Sequence, residues 1–251
     1  MSDYDKSWLI PVRENPNARL RLFLFHYAAG AASIYRTWGE GLPEDIEIFA
    51  LQLPGRETRM SEPLLTSIPV LVQNLHRVMR PLLDKPWVSF GHSMGCVLSF
   101  ELLRSVRRAK ERMPLRYFGS GRRGPGVPSR HPDMHTMTDA ELLEALRQYG
   151  GTPEEILNEP DFMAMLYPII RADFQALETH VFADEAPLEV PFSIYCGRDD
   201  ERATPDELED WKDYSSAECE IKLFDGGHFY INTHRHQVLE MLSRDLETIR
   251  A

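Results

Sequence analysis

Trp87-Val88-Ser89-Phe90-Gly91-His92-Ser93-Met94-Gly95-Cys96-Val97-Leu98 sets the pattern G-x-S-x-G between an apolar, strand-like run and the start of a helical one. A serine on a sharp strand-to-helix turn needs close neighbours that lack Cβ atoms, and glycines two residues before and after it meet that need. Met94, at the head of the helix, then turns its backbone N–H toward any negative charge that develops on an attacked carbonyl. The stretch therefore reads as a nucleophile at the carboxyl edge of a sheet.

On either side of it, Leu20 to Phe25, Ile46 to Leu51, Leu115 to Phe118, Phe192 to Cys196 and Glu220 to Phe224 are strand-length runs rich in β-branched and aromatic residues. With Trp87 to Phe90 they make six strands. Helical patterns fall between them at about Ile68 to Leu83, Cys96 to Lys110, Asp206 to Tyr214 and His234 to Ile249. This alternation predicts an α/β fold with a mostly parallel central sheet flanked by helices. The stretch 134–184 breaks the rhythm, because it reads as helices with no strand between them. Thr138 and Glu141 have capping-box spacing, Gly150-Gly151 is a stop, Pro153 suits a first helical position, and Pro168 should kink a helix from about Asp161 to Glu178. The expected division is a core of residues 1–133 and 185–251 with an inserted helical lid at 134–184.

Of the 251 residues, 28 are Lys or Arg and 39 are Asp or Glu, a formal charge of −11. Such an excess argues against nucleic acid or an anionic membrane surface as the main partner. No apolar stretch approaches membrane-spanning length, and Met1 to Lys6 has neither a basic nor an apolar signal region, so a soluble cytoplasmic protein is expected. The three cysteines, Cys96, Cys196 and Cys219, lack paired C-x-x-C spacing, which disfavours disulfides and metal sites.

A serine hydroxyl is a weak nucleophile without a base. Asp225-Gly226-Gly227-His228-Phe229 follows the last strand and brings His228 to the edge that carries Ser93. Cys196-Gly197-Arg198-Asp199-Asp200 follows the preceding strand, which completes the order Ser, Asp, His found in α/β-hydrolases. Asp200 is the expected acid, with Asp199 left to cap the turn or face solvent. His26, His92 and His180 read as packing or surface residues. A second oxyanion donor usually comes from the loop after an early strand, which points to the N–H of Ala28 in His26-Tyr27-Ala28-Ala29-Gly30. Retention of all three triad types in order argues against a catalytically dead fold used only for binding. The chemistry calls for no metal or organic cofactor.

Together with Leu53-Pro54-Gly55-Arg56, Tyr35, Trp38, Ser120-Gly121-Arg122-Arg123, Tyr149-Gly150-Gly151-Thr152-Pro153, the run Leu166 to Phe174 and Gly226-Gly227-His228-Phe229, the chain resembles type II thioesterases. These are the stand-alone hydrolases of polyketide and non-ribosomal peptide synthesis. The resemblance implies an α/β-hydrolase fold with a helical lid and the triad Ser93, Asp200 and His228, with oxyanion donors at Ala28 and Met94. It also implies cleavage of aberrant or stalled acyl groups from the phosphopantetheine arm of carrier protein domains. The chain departs from the family where His26 replaces a common proline and Ala28-Ala29-Gly30 replaces A-G-G. A chain-releasing fatty acyl-carrier-protein thioesterase or a small-ester hydrolase would share the triad. Phe162, Met163, Met165, Leu166, Ile169 and Phe174 are candidates to line an acyl channel, unless their helix face merely packs on the core. Arg122, Arg123 and Arg130 are candidates to dock the carrier's acidic helix or the phosphate of its arm, unless they form internal ion pairs.

Overall fold

The computed structural model describes residues 4–249. Seven strands, β1 (Leu9–Arg13), β2 (Leu20–Phe25), β3 (Ile46–Leu51), β4 (Trp87–His92), β5 (Arg116–Ser120), β6 (Phe192–Gly197) and β7 (Cys219–Phe224), form one sheet in the order β1-β3-β2-β4-β5-β6-β7. All neighbours pair in parallel except β1, which runs antiparallel to β3. This is the α/β-hydrolase fold that the sequence leads one to expect.

Alternation along β2 shows why the sheet must be covered twice. Phe23 and Phe25 join a core with Leu71 and Leu75 of α1 (Ile68–Met79) and with Leu98 and Leu102 of α2 (Met94–Arg108). Leu20, Leu22 and Leu24 point the other way, into a second core, ahead of the helices that close the chain. Arg21 interrupts this apolar run yet is buried, because its Nε meets Glu47 on β3 at 2.6 Å and its Nη1 meets the Leu82 carbonyl at 2.6 Å. A buried charge is tolerable when paired and hydrogen-bonded in this way.

Sequence patterning does not reveal β1. It is a half-buried edge strand containing Pro11, with a register shift between Pro11 and Arg13, and proline is admissible there because an edge strand has N–H groups to spare. The run Pro205–Tyr214 is 3₁₀ rather than the expected α-helix.

Between β5 and β6 the ordered elements are a 3₁₀ turn, then α3 (Asp139–Tyr149), α4 (Glu154–Leu157) and α5 (Pro160–Glu178). Thr138 and Glu141 close a reciprocal capping box at the start of α3, and Gly150 ends that helix with φ 74°. Pro153 serves as the cap of α4, one residue before its first turn. Leu142, Leu146, Leu157, Met163 and Ile170 give the segment a small core of its own. The chain closes with α6 (Tyr230–Thr233) and α7 (Arg235–Thr248), and Leu242 and Leu246 of α7 complete the second core. Residues 1–3 and 250–251 of the expected core lie outside the described residues. No described helix is long and apolar enough to cross a membrane.

The glycines of G-x-S-x-G are fixed by backbone, not by side chains. A Cβ on Gly95 would lie 2.0 Å from the Phe25 carbonyl oxygen, and one on Gly91 would lie 2.1 Å from the Gly95 carbonyl oxygen. Neither neighbour can rotate away. Gly95→Ala should therefore lower stability by about 3 kcal/mol, at the upper end of ordinary overpacking costs. A urea midpoint equal to that of the unmodified chain would show that α2 can shift off β2.

Candidate active site

Ser93 stands on the turn between β4 and α2 with φ 54° and ψ −109°, a left-handed conformation that L-residues rarely adopt. Such strain costs about 1–3 kcal/mol and persists only when its surroundings impose it. Here they do so through the Gly91 and Gly95 contacts and a 2.8 Å bond from Ser93 N–H to the Ser120 carbonyl at the end of β5.

His228, in the loop after β7, is 2.8 Å from Asp200 Oδ2 through its Nδ1. A carboxylate only accepts, so Nδ1 carries a proton, and the neutral tautomer fixed in this way has its lone pair on Nε2. Nε2 is buried and has no protein partner. Asp200 follows β6 and accepts N–H bonds at Oδ1 from Arg202 at 2.8 Å and Ala203 at 3.2 Å. Burial alone would raise its pKa, but the bond and charge of His228 and the Arg202 N–H hold it below the ordinary carboxylate value. Asp199 is exposed, so of the two aspartates Asp200 is the one that reaches the histidine.

The other buried histidines offer no comparable base. His92 lies with its ring 5.1 Å from that of His228 and its Nδ1 2.8 Å from Ser120 Oγ. Burial, and then the neighbouring His228, push its pKa well below the usual value, so it stays neutral. His26 is likewise pushed down to about 4 by burial and by Arg56.

Met94 is the first residue of α2, and among the described residues no backbone carbonyl takes its N–H or that of Ala28. Ala28 belongs to the turn after β2, in which Ala29 has φ 61° and Gly30 N–H closes on the Tyr27 carbonyl at 2.9 Å. Two free donors thus flank the nucleophile from separate elements.

Two cavities meet at Ser93 and His228. One of about 410 Å³ is apolar, walled by Ala28, Ile34, Met60, Leu146, Ile169 and Phe229 among others. The other, of about 600 Å³, is lined by Arg122, Arg123, His131, Glu178 and Arg202 together with a proline-rich loop. Tyr149 and Phe174 border both. The Tyr149 ring stands edge-on to His228 at 5.2 Å and carries the Arg202 guanidinium over its face at 4.4 Å.

The channel candidates divide by helical phase. Leu166, Ile169 and Phe174 line the apolar cavity. Phe162 and Met165, three residues apart, lie 50% and 54% exposed on the outer face of α5, and Met163 is sealed in the segment's own core, so these three do not line it. Among the arginines, Arg122 and Arg123 line the second, mixed cavity, whereas Arg130 is engaged by Glu207 at 3.0 Å. Nothing in the sequence marks Met60 as a site residue, while Tyr149 and Phe229 carry a signal only as members of the Tyr-Gly-Gly-Thr-Pro and Gly-Gly-His-Phe motifs.

Residues 20–246 match the thioesterase domain family. The chain belongs to that family. It is 33% identical over 244 residues to the gramicidin S biosynthesis protein GrsT of Aneurinibacillus migulanus, covering 97% of this chain and 95% of GrsT. It is 35% identical over 244 residues to the linear gramicidin dehydrogenase LgrE of Brevibacillus parabrevis, covering 96% and 93% of the two chains. Among solved structures, the type II thioesterase BorB from the borrelidin biosynthetic cluster superposes with a TM-score of 0.87 at 31% identity, over 97% of this chain and 99% of BorB.

Gly119-Ser120-Gly121-Arg122-Arg123-Gly124 in this thioesterase has the G-x-G-x-x-G spacing of dinucleotide-binding proteins. That motif works by opening a helix onto a pyrophosphate. Here no α-helix begins between the motif and Asp139, so the spacing carries no such role.

Ser93→Ala should abolish hydrolysis, and Asp200→Asn should lower kcat by about 10⁴, as loss of the orienting acid does elsewhere. Asp199→Asn should leave kcat unchanged; the reverse ranking in steady-state rates would move the acid to Asp199. Ser93→Gly should be equally inactive yet about 1 kcal/mol more stable than Ser93→Ala, because only glycine relieves the strained turn. Equal urea midpoints for the two would show the turn to be unstrained.

Neutral His26 also makes stability depend on pH. Its folded pKa of about 4 lies below the unfolded value of 6.5, so its contribution is complete above 6.5 and is lost as pH falls toward about 4. Urea midpoints should decline through that window, and less steeply in His26→Gln. Parallel curves for the two proteins would assign the decline to other groups.

Proposed function

We propose that this thioesterase hydrolyses acyl groups held as thioesters on the phosphopantetheine arm of carrier protein domains, clearing aberrant or stalled chains from a synthase. The observation that carries the reading is the meeting, at Ser93, of an apolar cavity and a second cavity of mixed lining that bears Arg122, Arg123 and Arg202. An acyl chain suits the first, and a pantetheine arm with its amides and phosphate suits the second. The likeness to GrsT, a gramicidin S biosynthesis protein, and to BorB, a type II thioesterase from the borrelidin biosynthetic cluster, supports the setting.

In the first step His228 Nε2 removes the Ser93 proton while Oγ attacks the thioester carbonyl. Asp200 stabilises the imidazolium, and the N–H groups of Ala28 and Met94 bind the oxyanion, a contribution of about 3 kcal/mol for each donor. The carbon–sulfur bond breaks, and His228 returns its proton to the leaving thiolate. Water, deprotonated by His228, then attacks the acyl-enzyme and releases a free acid with Ser93 restored. These steps require no metal or organic cofactor.

Arg122 bears on how the arm is held. Its Nε is buried beside the second cavity without a partner, and burial lowers its pKa. A guanidinium left with unfilled donors in a substrate cavity favours a ligand rich in acceptors. The protein's net charge of −11 repels an acidic carrier at long range, and screening beyond about 8 Å leaves such local contacts to decide docking.

The test compares one acyl group on a carrier protein, on pantetheine phosphate and on N-acetylcysteamine. Arg122→Ala and Arg123→Ala should lower kcat/KM about tenfold for the first two substrates and little for the third, and Arg130→Ala should do less. Carrier-bound substrate cleaved no faster than the short thioester would point to a general ester hydrolase. Leu166→Trp should shift preference toward shorter acyl chains, while Met165→Trp, on the outer face, should not.

A further inference from the structure

Asp173 is fully buried beside the site, yet it belongs to neither the triad nor the oxyanion donors. It stands on α5, in the segment between β5 and β6, while its partners come from the core. Oδ1 accepts from Arg56 Nη2 at 2.8 Å and Oδ2 from Arg56 Nη1 at 2.6 Å. Oδ2 also accepts the Ala29 N–H at 2.7 Å. Arg56 Nη1 in turn donates to the Gly30 carbonyl at 3.1 Å. One carboxylate–guanidinium pair therefore holds both a donor and an acceptor of the turn that contains Ala28.

That turn needs holding. Ala29, at φ 61°, occupies the left-handed region that a Cβ disfavours. Gln52 supports the same loop from below, with its Oε1 accepting from Ala32 N–H at 3.0 Å and its Nε2 donating to the Arg56 carbonyl at 3.1 Å. As glue alone a buried ion pair is poorly explained, because apolar side chains of similar volume often stabilise a core as well or better.

We infer that Asp173 is a positioning residue for the oxyanion hole: through Ala29 and Arg56 it aims the Ala28 N–H, so the hole is complete only while α5 is seated on the core. The inference rests on Ala28 serving Ser93 chemistry, but not on the identity of the acyl carrier. Displacing the helical segment would thereby weaken transition-state stabilisation.

The experiment uses the full chain with p-nitrophenyl esters, and active sites are counted from the acylation burst. Asp173→Asn and Arg56→Lys keep side-chain size or charge while losing part of the bidentate grip. Each should lower kcat per active site about 30-fold, a partial loss of one oxyanion donor, with KM nearly unchanged. Affinity for an alkyl trifluoromethyl ketone, whose serine adduct places an oxyanion in the hole, should fall by the same factor. Affinity for an alkyl amide that fills the cavity without forming an adduct should not move. A lower melting temperature with unchanged kcat and ketone affinity would reduce the pair to structural glue and overturn the inference. Should Asp173→Asn not fold, Arg56→Lys decides by the same readings. Wild-type protein that cleaves aryl esters but no carrier-bound thioester would overturn the proposed function and leave this inference standing.

Discussion

Gly95 approaches the Phe25 carbonyl so closely that no side chain can intervene, and this backbone contact organises the catalytic edge of the sheet. It presses the first turn of α2 onto the end of β2, which forces Ser93 into its left-handed conformation and presents Met94 N–H beside it. The chain leaving β2 at Phe25 reaches Ala28 three residues later. The two proposed oxyanion donors, distant in sequence, are thus referred to the same point of contact. Preorganisation of this kind matters because donors already in place need not reorganise as charge develops.

Charge around the nucleophile is set by which histidine has an acid behind it. The Nε2 atoms of His26, His92 and His228 are all buried and unpartnered. Only His228 has a carboxylate on its other nitrogen; the Nδ1 of His26 faces the Tyr27 carbonyl and that of His92 faces Ser120 Oγ. A carbonyl or hydroxyl fixes a tautomer but cannot neutralise an imidazolium, whereas Asp200 can. Burial therefore disfavours the charged form of His26 and His92, and of the three only His228 has a carboxylate counter-charge in place.

The sequence was most legible where chemistry and local structure demand the same residues. Gly91, Ser93 and Gly95, the strand-end position of His228 and the capping box at Thr138 are set by short-range sterics and hydrogen bonding, and the structure shows each in its expected place. β1 was hidden because an edge strand needs no strong apolar alternation. In α5 the apolar residues are too many for periodicity to select a cavity face, so Met163 and Met165 look as suitable as Leu166 and Ile169 until the helix is seated. Arg56 and Asp173 stood in conspicuous motifs, but 117 residues separate them, and no local pattern announces a long-range ion pair.

Helices without a strand contribute more to this site than a cover. Tyr149 from α3 stands against His228, Phe174 from α5 borders both cavities, and Asp173 from α5 holds the turn that bears Ala28. The core alone supplies Ser93, Asp200, His228 and Met94. It does not alone fix Ala29 in a conformation that alanine resists. On the proposed role of Asp173, a nucleophile whose oxyanion hole is completed by a separate helical segment would be weak until that segment is seated. Selectivity then need not reside wholly in the shape of the acyl cavity. An occupant that leaves the Arg56–Asp173 contact intact would meet the full set of donors, and one that displaced α5 would meet the triad without it.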